Sequence, residues 1–197
     1  MVFAKRTACY AKAGYTLVEV LVVVSIMGIL SAMGVAGLQR AVANARVKDA
    51  AVNTAAFVER VANLANQRNE VLCLRVDPHS DQTLLVVRDD GTKDCTSPHD
   101  GVIAEFSIDE PCKFVSLATC RGVETDWFSK AYSANTAFKP RLGLSAAPPH
   151  GGICIQYGSD AVYGAVVKEQ NLNKVKPMWK VGDLPAAGAG WGSWMDL

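Results

Sequence analysis

An apolar stretch runs from Tyr15 to Leu38 and reads YTLVEVLVVVSIMGILSAMGVAGL. Its 24 residues contain one acidic side chain, Glu19, and no basic side chain. At 1.5 Å rise per residue, a helix of this length spans roughly 36 Å, which is enough to cross a bilayer. The stretch therefore predicts a transmembrane helix over residues 15–38, with a single carboxylate near its start.

Residues 1–14 form a short leader that carries Lys5, Arg6 and Lys12 and no acid. Positive charge before an apolar helix favours a cytoplasmic N-terminus and an exported C-terminal part. Removal of the leader would change the formal net charge of the chain from +1 to −2. An ordinary secretory signal would instead be cut after the apolar run, within SAMGVAGLQ, and that alternative leaves Glu19 unexplained.

Helical character continues beyond the apolar stretch. Residues 41–69 contain no proline or glycine and are rich in alanine, as expected of a helix. We therefore predict an amphipathic continuation over 39–69 and one helix over 15–68, whose 54 residues span about 80 Å. The apolar side chains predicted to line its packed face are Val42, Ala45, Val52, Ala56, Phe57, Val61 and Leu64.

Residues 70–184 change to short apolar runs separated by turn residues. EVLCLRV and TLLVVRDDG, joined by DPHSDQ, predict a hairpin. Further strands are predicted at VIAEFSI, CKFVSLA, GICIQYG and AVYGAVVKE. The expected fold class is α+β, in which the long N-terminal helix packs against an antiparallel β-sheet domain.

The last segment, residues 185–197, reads PAAGAGWGSWMDL and is poor in residues that favour helix or strand. It predicts a flexible tail. The alternative is that Trp191 and Trp194 make an aromatic contact with another subunit.

The sequence around Gly14 resembles the processing site of type IV pilins and type II secretion pseudopilins. The resemblance rests on the basic leader, the stretch GYTLVE and the apolar helix after it. It implies cleavage after Gly14, methylation of Tyr15 as the new N-terminus, and a role for Glu19 in subunit assembly. In that family the carboxylate meets the N-terminal amine of the adjacent subunit. The alternative is a Glu19 side chain that extends to the lipid headgroups.

The same resemblance implies the partners and the location of the protein. The partners are prepilin peptidase, other pilins or pseudopilins in a filament, an inner-membrane assembly platform and inner-membrane lipid. The chain would cross the bacterial inner membrane once, with a cytoplasmic N-terminus and a periplasmic domain, and then enter a pilus or pseudopilus. No cofactor is expected.

Residues 40–180 are similar to minor pilins and pseudopilins of the GspH/FimT type, through ANQRNEVLCLRV, LLVVRDDG and the late strand around GGICIQYG. Some members bind DNA through a basic tail, which gives the alternative function of DNA uptake. Residues 70–110 hold ten acids and three bases, whereas 130–180 hold seven bases and two acids. The candidate DNA contacts are Lys130, Lys139, Arg141, Lys168, Lys174, Lys176 and Lys180.

Five cysteines lie beyond the leader, which in an exported domain predicts one or two disulfides and an odd thiol. Cys112 and Cys120 are the predicted pair because they are close in the chain. A zinc site that uses Cys95, His99, Cys112 and Cys120 is the weaker alternative, since it lacks the tight paired spacing of known zinc modules.

Few residues suggest catalysis, and the chain is not expected to be an enzyme. No nucleophile-elbow pattern surrounds the serines, and Asp89-Asp90-Gly91 is typical of a turn rather than of a calcium loop. The histidines and serines that could in principle serve are His79, His99, His150, Ser80, Ser97 and Ser145.

Overall fold

A single α-helix, α1, extends from Leu17 to Arg68 and contains 52 residues. This computed structural model describes residues 14–91, 95–96, 101–120, 125–131, 133–140, 149–168, 175–181 and 194–197. The prediction of one long helix is confirmed. Its first helical residue is Leu17, two positions after the predicted start at Tyr15.

The C-terminal end of α1 is closed by its own backbone. Asn69 adopts a left-handed conformation with φ of 50°, which asparagine tolerates better than most residues. The amide of Asn69 donates to Asn66 O and the amide of Glu70 donates to Ala65 O, each at 3.2 Å. This is the Schellman arrangement, which satisfies carbonyls that the last turn would leave unpaired.

The chain divides into two compact units, Met1–Ala41 and Val42–Leu197. The described part of the first unit contains the apolar beginning of α1, whose large side chains are exposed. Within the described residues, α1 is the one helix long and apolar enough to cross a membrane.

The second unit contains the rest of α1, all of the strands among the described residues and a short helix. The strands form two sheets, with orders β3-β2-β1-β5 and β4-β6-β7-β8-β9, and all their pairings are antiparallel. The α+β class is thus confirmed. The elements are β1 (Leu72–Val76), β2 (Thr83–Arg88), β3 (Val102–Ser107), β4 (Cys112–Val115), α2 (Leu117–Cys120), a 3₁₀ turn (Ala134–Thr136), β5 (Ala137–Phe138), β6 (Gly151–Tyr157), β7 (Val162–Lys168), β8 (Lys176–Val181) and β9 (Met195–Asp196).

The main core joins α1 to both sheets. Val47, Val58 and Val61 on the helix are buried in one cluster with Leu74 of β1 and Ile155 of β6. Burial of apolar surface against both sheets is the interaction that fixes this half of the helix on the domain.

The buried face of α1 differs from the predicted one. Of the residues predicted to line it, Phe57 and Val61 are buried, whereas Val42 and Val52 are exposed by 43% and 45%. The helix instead turns its small residues inward, and the sheet comes close because Gly164 of β7 lies beneath Val47. The other buried small residues of this face are Ala43, Ala50, Ala51, Thr54, Ala55, Ala62 and Ala65.

A second, smaller core lies on the other face of the five-stranded sheet. Leu117 and Cys120 of α2 are buried there with Cys154 of β6 and Tyr163 of β7. Trp194 also packs against this cluster, and the two residues after it form β9, which pairs with β8. Residues 195–196 therefore differ from the predicted flexible tail, because they complete the edge of the sheet. Trp191 lies outside the described residues.

Candidate functional site

The predicted processing site lies at the beginning of α1. Gly14, Tyr15 and Thr16 are outside the helix, which starts at Leu17. The Glu19 amide donates a hydrogen bond to Thr16 Oγ1 at 3.2 Å. Thr16 is thus the N-cap, and it satisfies one of the four amides that a helix start leaves without a backbone partner.

Sequence reasoning missed this role of Thr16, although a signal was present. Thr16 and Glu19 have the T-x-x-E spacing of a capping box. The position also places the Glu19 carboxylate in the first turn of the helix, where the helix dipole favours negative charge. Glu19 therefore has a local reason to be acidic as well as the assembly role that the resemblance implies.

The surroundings of Glu19 are apolar. Tyr15 is 81% exposed, and the neighbouring Leu17, Val18 and Val20 are exposed too. Within the described part of the chain, no ion pair and no side-chain hydrogen bond reaches the Glu19 carboxylate. A carboxylate in a hydrocarbon environment is costly unless a cation or a proton neutralises it. The arrangement thus offers an acid that a cation from outside this chain can reach.

The cysteines are paired differently from the prediction. Disulfides join Cys73 to Cys95 and Cys120 to Cys154, and Cys112 is a buried free thiol. Two disulfides and an odd thiol match the expected number, but the pairing of Cys112 with Cys120 is wrong.

Strand register explains the incorrect pairing. In the β4–β6 ladder, Val115 is opposite Cys154 and Cys112 is opposite Tyr157. Cys112 points into the main core against α1, whereas Cys120 and Cys154 lie in the smaller core on the other face of the sheet. The alternative zinc site fails for the same reason, because Cys112 and Cys120 lie on opposite faces of the sheet.

Cys112 lies beside a cavity of about 80 Å³ between α1 and the segment from β3 to β4. Burial raises the pKa of its thiol; Arg46 opposes the rise and Asp109 adds to it. A buried thiol of raised pKa is a poor nucleophile, because the thiolate is the reactive form.

The described lysines among the candidate DNA contacts do not form an open basic surface. Lys130 and Lys176 make salt bridges with Asp81 and Asp196, each at 2.6 Å. Two further lysines, Lys168 and Lys180, are buried, at 7% and 3% exposure, and Lys139 is exposed. Arg141 and Lys174 lie outside the described residues.

Burial also lowers the pKa of Lys180 to about 8. Its ammonium lies over the ring of Trp194, 5.5 Å from the ring centroid. Counterion release from DNA requires exposed cations that can approach phosphates. The arrangement of the described lysines therefore does not favour DNA binding.

The described candidates for catalysis have structural partners. The His79 amide donates to Asp77 Oδ1, and Ser80 Oγ accepts from the Gln82 amide, so both belong to the turn after β1. His150 Nδ1 lies 3.0 Å from Lys168 O. The remaining candidates, His99, Ser97 and Ser145, lie outside the described residues.

The predicted turn at Asp89-Asp90-Gly91 is present. Asp89 Oδ2 accepts the Gly91 amide at 2.8 Å, and Gly91 has a positive φ of 104°.

Comparison with known proteins bears on the N-terminal segment. Residues 9–35 match the family model of the prokaryotic N-terminal methylation motif. Neither the search of curated proteins nor the search of solved structures gave a significant match. The motif supports a type IV pilin-like protein that is processed by prepilin peptidase, and with the apolar helix it supports membrane anchoring.

Proposed function

We propose that this chain is a minor pilin or pseudopilin of the GspH/FimT type, which assembles into a type IV pilus or a type II secretion pseudopilus. The observation that carries the proposal is the methylation motif at residues 9–35. It coincides with the start of a 52-residue helix, and the second half of that helix packs in one core with both sheets. The role is structural, and the expected partners are other pilin subunits and the inner-membrane assembly platform.

The first step of the proposed function is removal of the leader, residues 1–14, on the cytoplasmic side of the inner membrane. The bond to be cut joins Gly14 to Tyr15, and both residues precede the first helical residue, Leu17. A peptidase needs the scissile backbone outside a helix, because helical hydrogen bonding hides the amide from the active site. The Thr16 cap supports the step by starting the helix beyond the cut.

The second step is assembly, in which Glu19 meets the methylated amine of Tyr15 from an adjacent subunit. A charge in hydrocarbon is tolerated when a charge of opposite sign neutralises it. Such a pair also fixes the axial register between neighbouring helices, as buried polar groups do in coiled coils. In the membrane the domain would face the periplasm, since the leader is basic.

The experiment expresses the full chain in cells with and without prepilin peptidase and determines the N-terminus by mass spectrometry. We expect a mature protein that begins with methylated Tyr15 when the peptidase is present, and an intact leader when it is absent. A start beyond Ala36 in both strains would identify an ordinary secretory signal and overturn the proposal.

A matched pair of glycine substitutions sharpens the experiment. Gly14→Val should block cleavage, because the side chain would occupy the peptidase site next to the scissile bond. Gly34→Val is the control, since a Cβ added at Gly34 would meet nothing within 4 Å apart from the adjacent backbone of its own helix. Equal processing of both variants would contradict cleavage at Gly14.

A further inference from the structure

Three potential metal ligands lie together where β1, the end of β2 and the segment after it meet. They are Cys73 Sγ, Cys95 Sγ and a carboxylate oxygen of Asp89, all within 4.8 Å of one another. The two cysteines are buried, at 2% and 0% exposure, and form a disulfide. Thiolates and a carboxylate are ligands that Zn²⁺ accepts.

Hydrogen bonds that do not involve sulfur hold Asp89 in place. Its Oδ2 accepts the Gly91 amide at 2.8 Å, and its Oδ1 accepts the Cys95 amide at 3.2 Å. The second bond joins the end of β2 directly to the backbone of Cys95. Loss of the disulfide therefore leaves a connection that keeps the three donor atoms close.

On its Asp89 side, the cluster has a route to solvent. Asp89 lies in the wall of an open cavity of about 650 Å³, which is also lined by Glu70, Arg88 and Lys139. A cation can reach Asp89 through this cavity, and a water molecule in it can act as the fourth ligand. A metal site needs such an entry path as well as a suitable set of ligands.

We propose that reduction of the Cys73–Cys95 disulfide converts this cluster into a binding site for a single Zn²⁺ ion. A dithiol reductant supplies two electrons and two protons, the S–S bond breaks, and the reductant becomes a disulfide. Binding of Zn²⁺ then displaces the two thiol protons, so that two thiolates, Asp89 and a water complete a tetrahedron. Zn–S bonds of about 2.3 Å place the sulfur atoms about 3.8 Å apart, so the two sulfur atoms move apart from their bonded positions when the ion enters.

The consequence is a cross-link that survives a change of redox state. In the oxidised chain the disulfide joins β1 to Cys95, and in the reduced chain the metal ion joins the same residues. The other disulfide serves as a built-in control. The only group of three potential ligands within the described residues is the one around Asp89, so reduction of Cys120–Cys154 supplies two thiols without a carboxylate.

The test uses the full chain in mild detergent, reduced with a phosphine that is then removed, and titrated with Zn²⁺ at neutral pH. We expect one ion bound per reduced chain and none per oxidised chain, measured by native mass spectrometry. Cys120→Ser with Cys154→Ser should retain the ion, and Cys73→Ser with Cys95→Ser should lose it. The opposite pattern, or no ion bound to the reduced chain, overturns the proposal.

Asp89→Asn tests the carboxylate itself. We expect zinc affinity to fall by at least about 10-fold, since even residues behind the metal ligands contribute that much. An unchanged affinity overturns the assignment of Asp89 as a ligand, because two thiols alone would then account for binding.

A second measurement covers the case in which reduction loosens the fold. Zinc should slow alkylation of Cys73 and Cys95 relative to Cys120 and Cys154, read residue by residue by peptide mass spectrometry. Equal rates at all four thiols in the presence of zinc overturn the proposal. Neither measurement depends on leader cleavage or filament assembly, so the proposed function can fail independently.

Discussion

Removal of the disulfide between Cys120 and Cys154 should destabilise the sheet domain strongly. The two residues are 34 positions apart and fully buried. The loop-closure relation gives about 3.8 kcal/mol for a cross-link of this span. In a domain of this size, that loss should lower the melting temperature by about 8 to 15 °C.

The variant is Cys120→Ala with Cys154→Ala in the full chain in detergent. Equilibrium unfolding in urea, followed by tryptophan fluorescence, gives the free energy of unfolding. The matched control is Cys112→Ala, which removes a buried sulfur but no cross-link and should cost about 1 kcal/mol. Twice the cost of the control accounts for the two lost sulfurs, and the remainder is the contribution of the cross-link. If the double variant costs no more than twice the control, the two cysteines are not joined and the assigned pairing is wrong.

Three further predictions concern other parts of the chain. Glu19→Gln should leave the level in the inner membrane unchanged but reduce recovery in sheared filaments, because loss of one partner of a buried pair costs about 3 to 5 kcal/mol; equal recovery would mean that Glu19 has no assembly role. Gly164→Ala places a Cβ 2.9 Å from Val47 Cγ1, so unfolding in urea should show a loss of about 1 to 3 kcal/mol, partly restored by Val47→Ala. Burial lowers the pKa of Lys180 from its ordinary 10.5 to about 8. The unfolded chain therefore binds this proton more tightly than the folded chain, and the free energy of unfolding should rise with pH between about 8 and 10.5. Lys180→Met should abolish that rise, and an unchanged pH profile would refute the assignment to Lys180.

The features that sequence predicted correctly are encoded locally. The apolar run and the alanine-rich segment after it both favour helix, and Asn69 supplies the left-handed residue that ends it. The turn at Asp89 and Gly91 follows from side-chain hydrogen bonding over two residues. The methylation motif is equally local, since residues 9–35 contain its whole signal.

The buried face of α1 could not be predicted from the positions of its bulky residues. A pattern search places large apolar side chains inward, which is the rule for an ordinary amphipathic helix. Here Val52 is exposed and Ala51 is buried, because the sheet approaches the helix closely at Gly164. A glycine in a distant strand sets this spacing, and nothing near Ala51 in the sequence reports it.

The state of the lysines likewise depends on residues far away in the chain. Lys130 pairs with Asp81, and Lys176 pairs with Asp196, which lies in a strand where the sequence predicts a flexible tail. A count of bases over a segment treats each one as available to a partner. Ion pairing and burial leave fewer lysines able to contact a phosphate. The local excess of positive charge therefore predicts more nucleic-acid contacts than the described lysines can make.

The cysteines show why proximity in the chain misleads in a sheet protein. Cys112 and Cys120 are eight positions apart, but a pleated strand alternates its side chains between two faces. Phe114 shares the face of Cys112 toward α1, whereas Val115 shares the opposite face with Cys154. The chain then turns into α2 on that opposite face, which carries Cys120 to Cys154 and away from Cys112. A one-residue shift of β4 along the sheet would have turned Cys112 toward the smaller core. The register of β4 therefore determines which cysteine can reach Cys154.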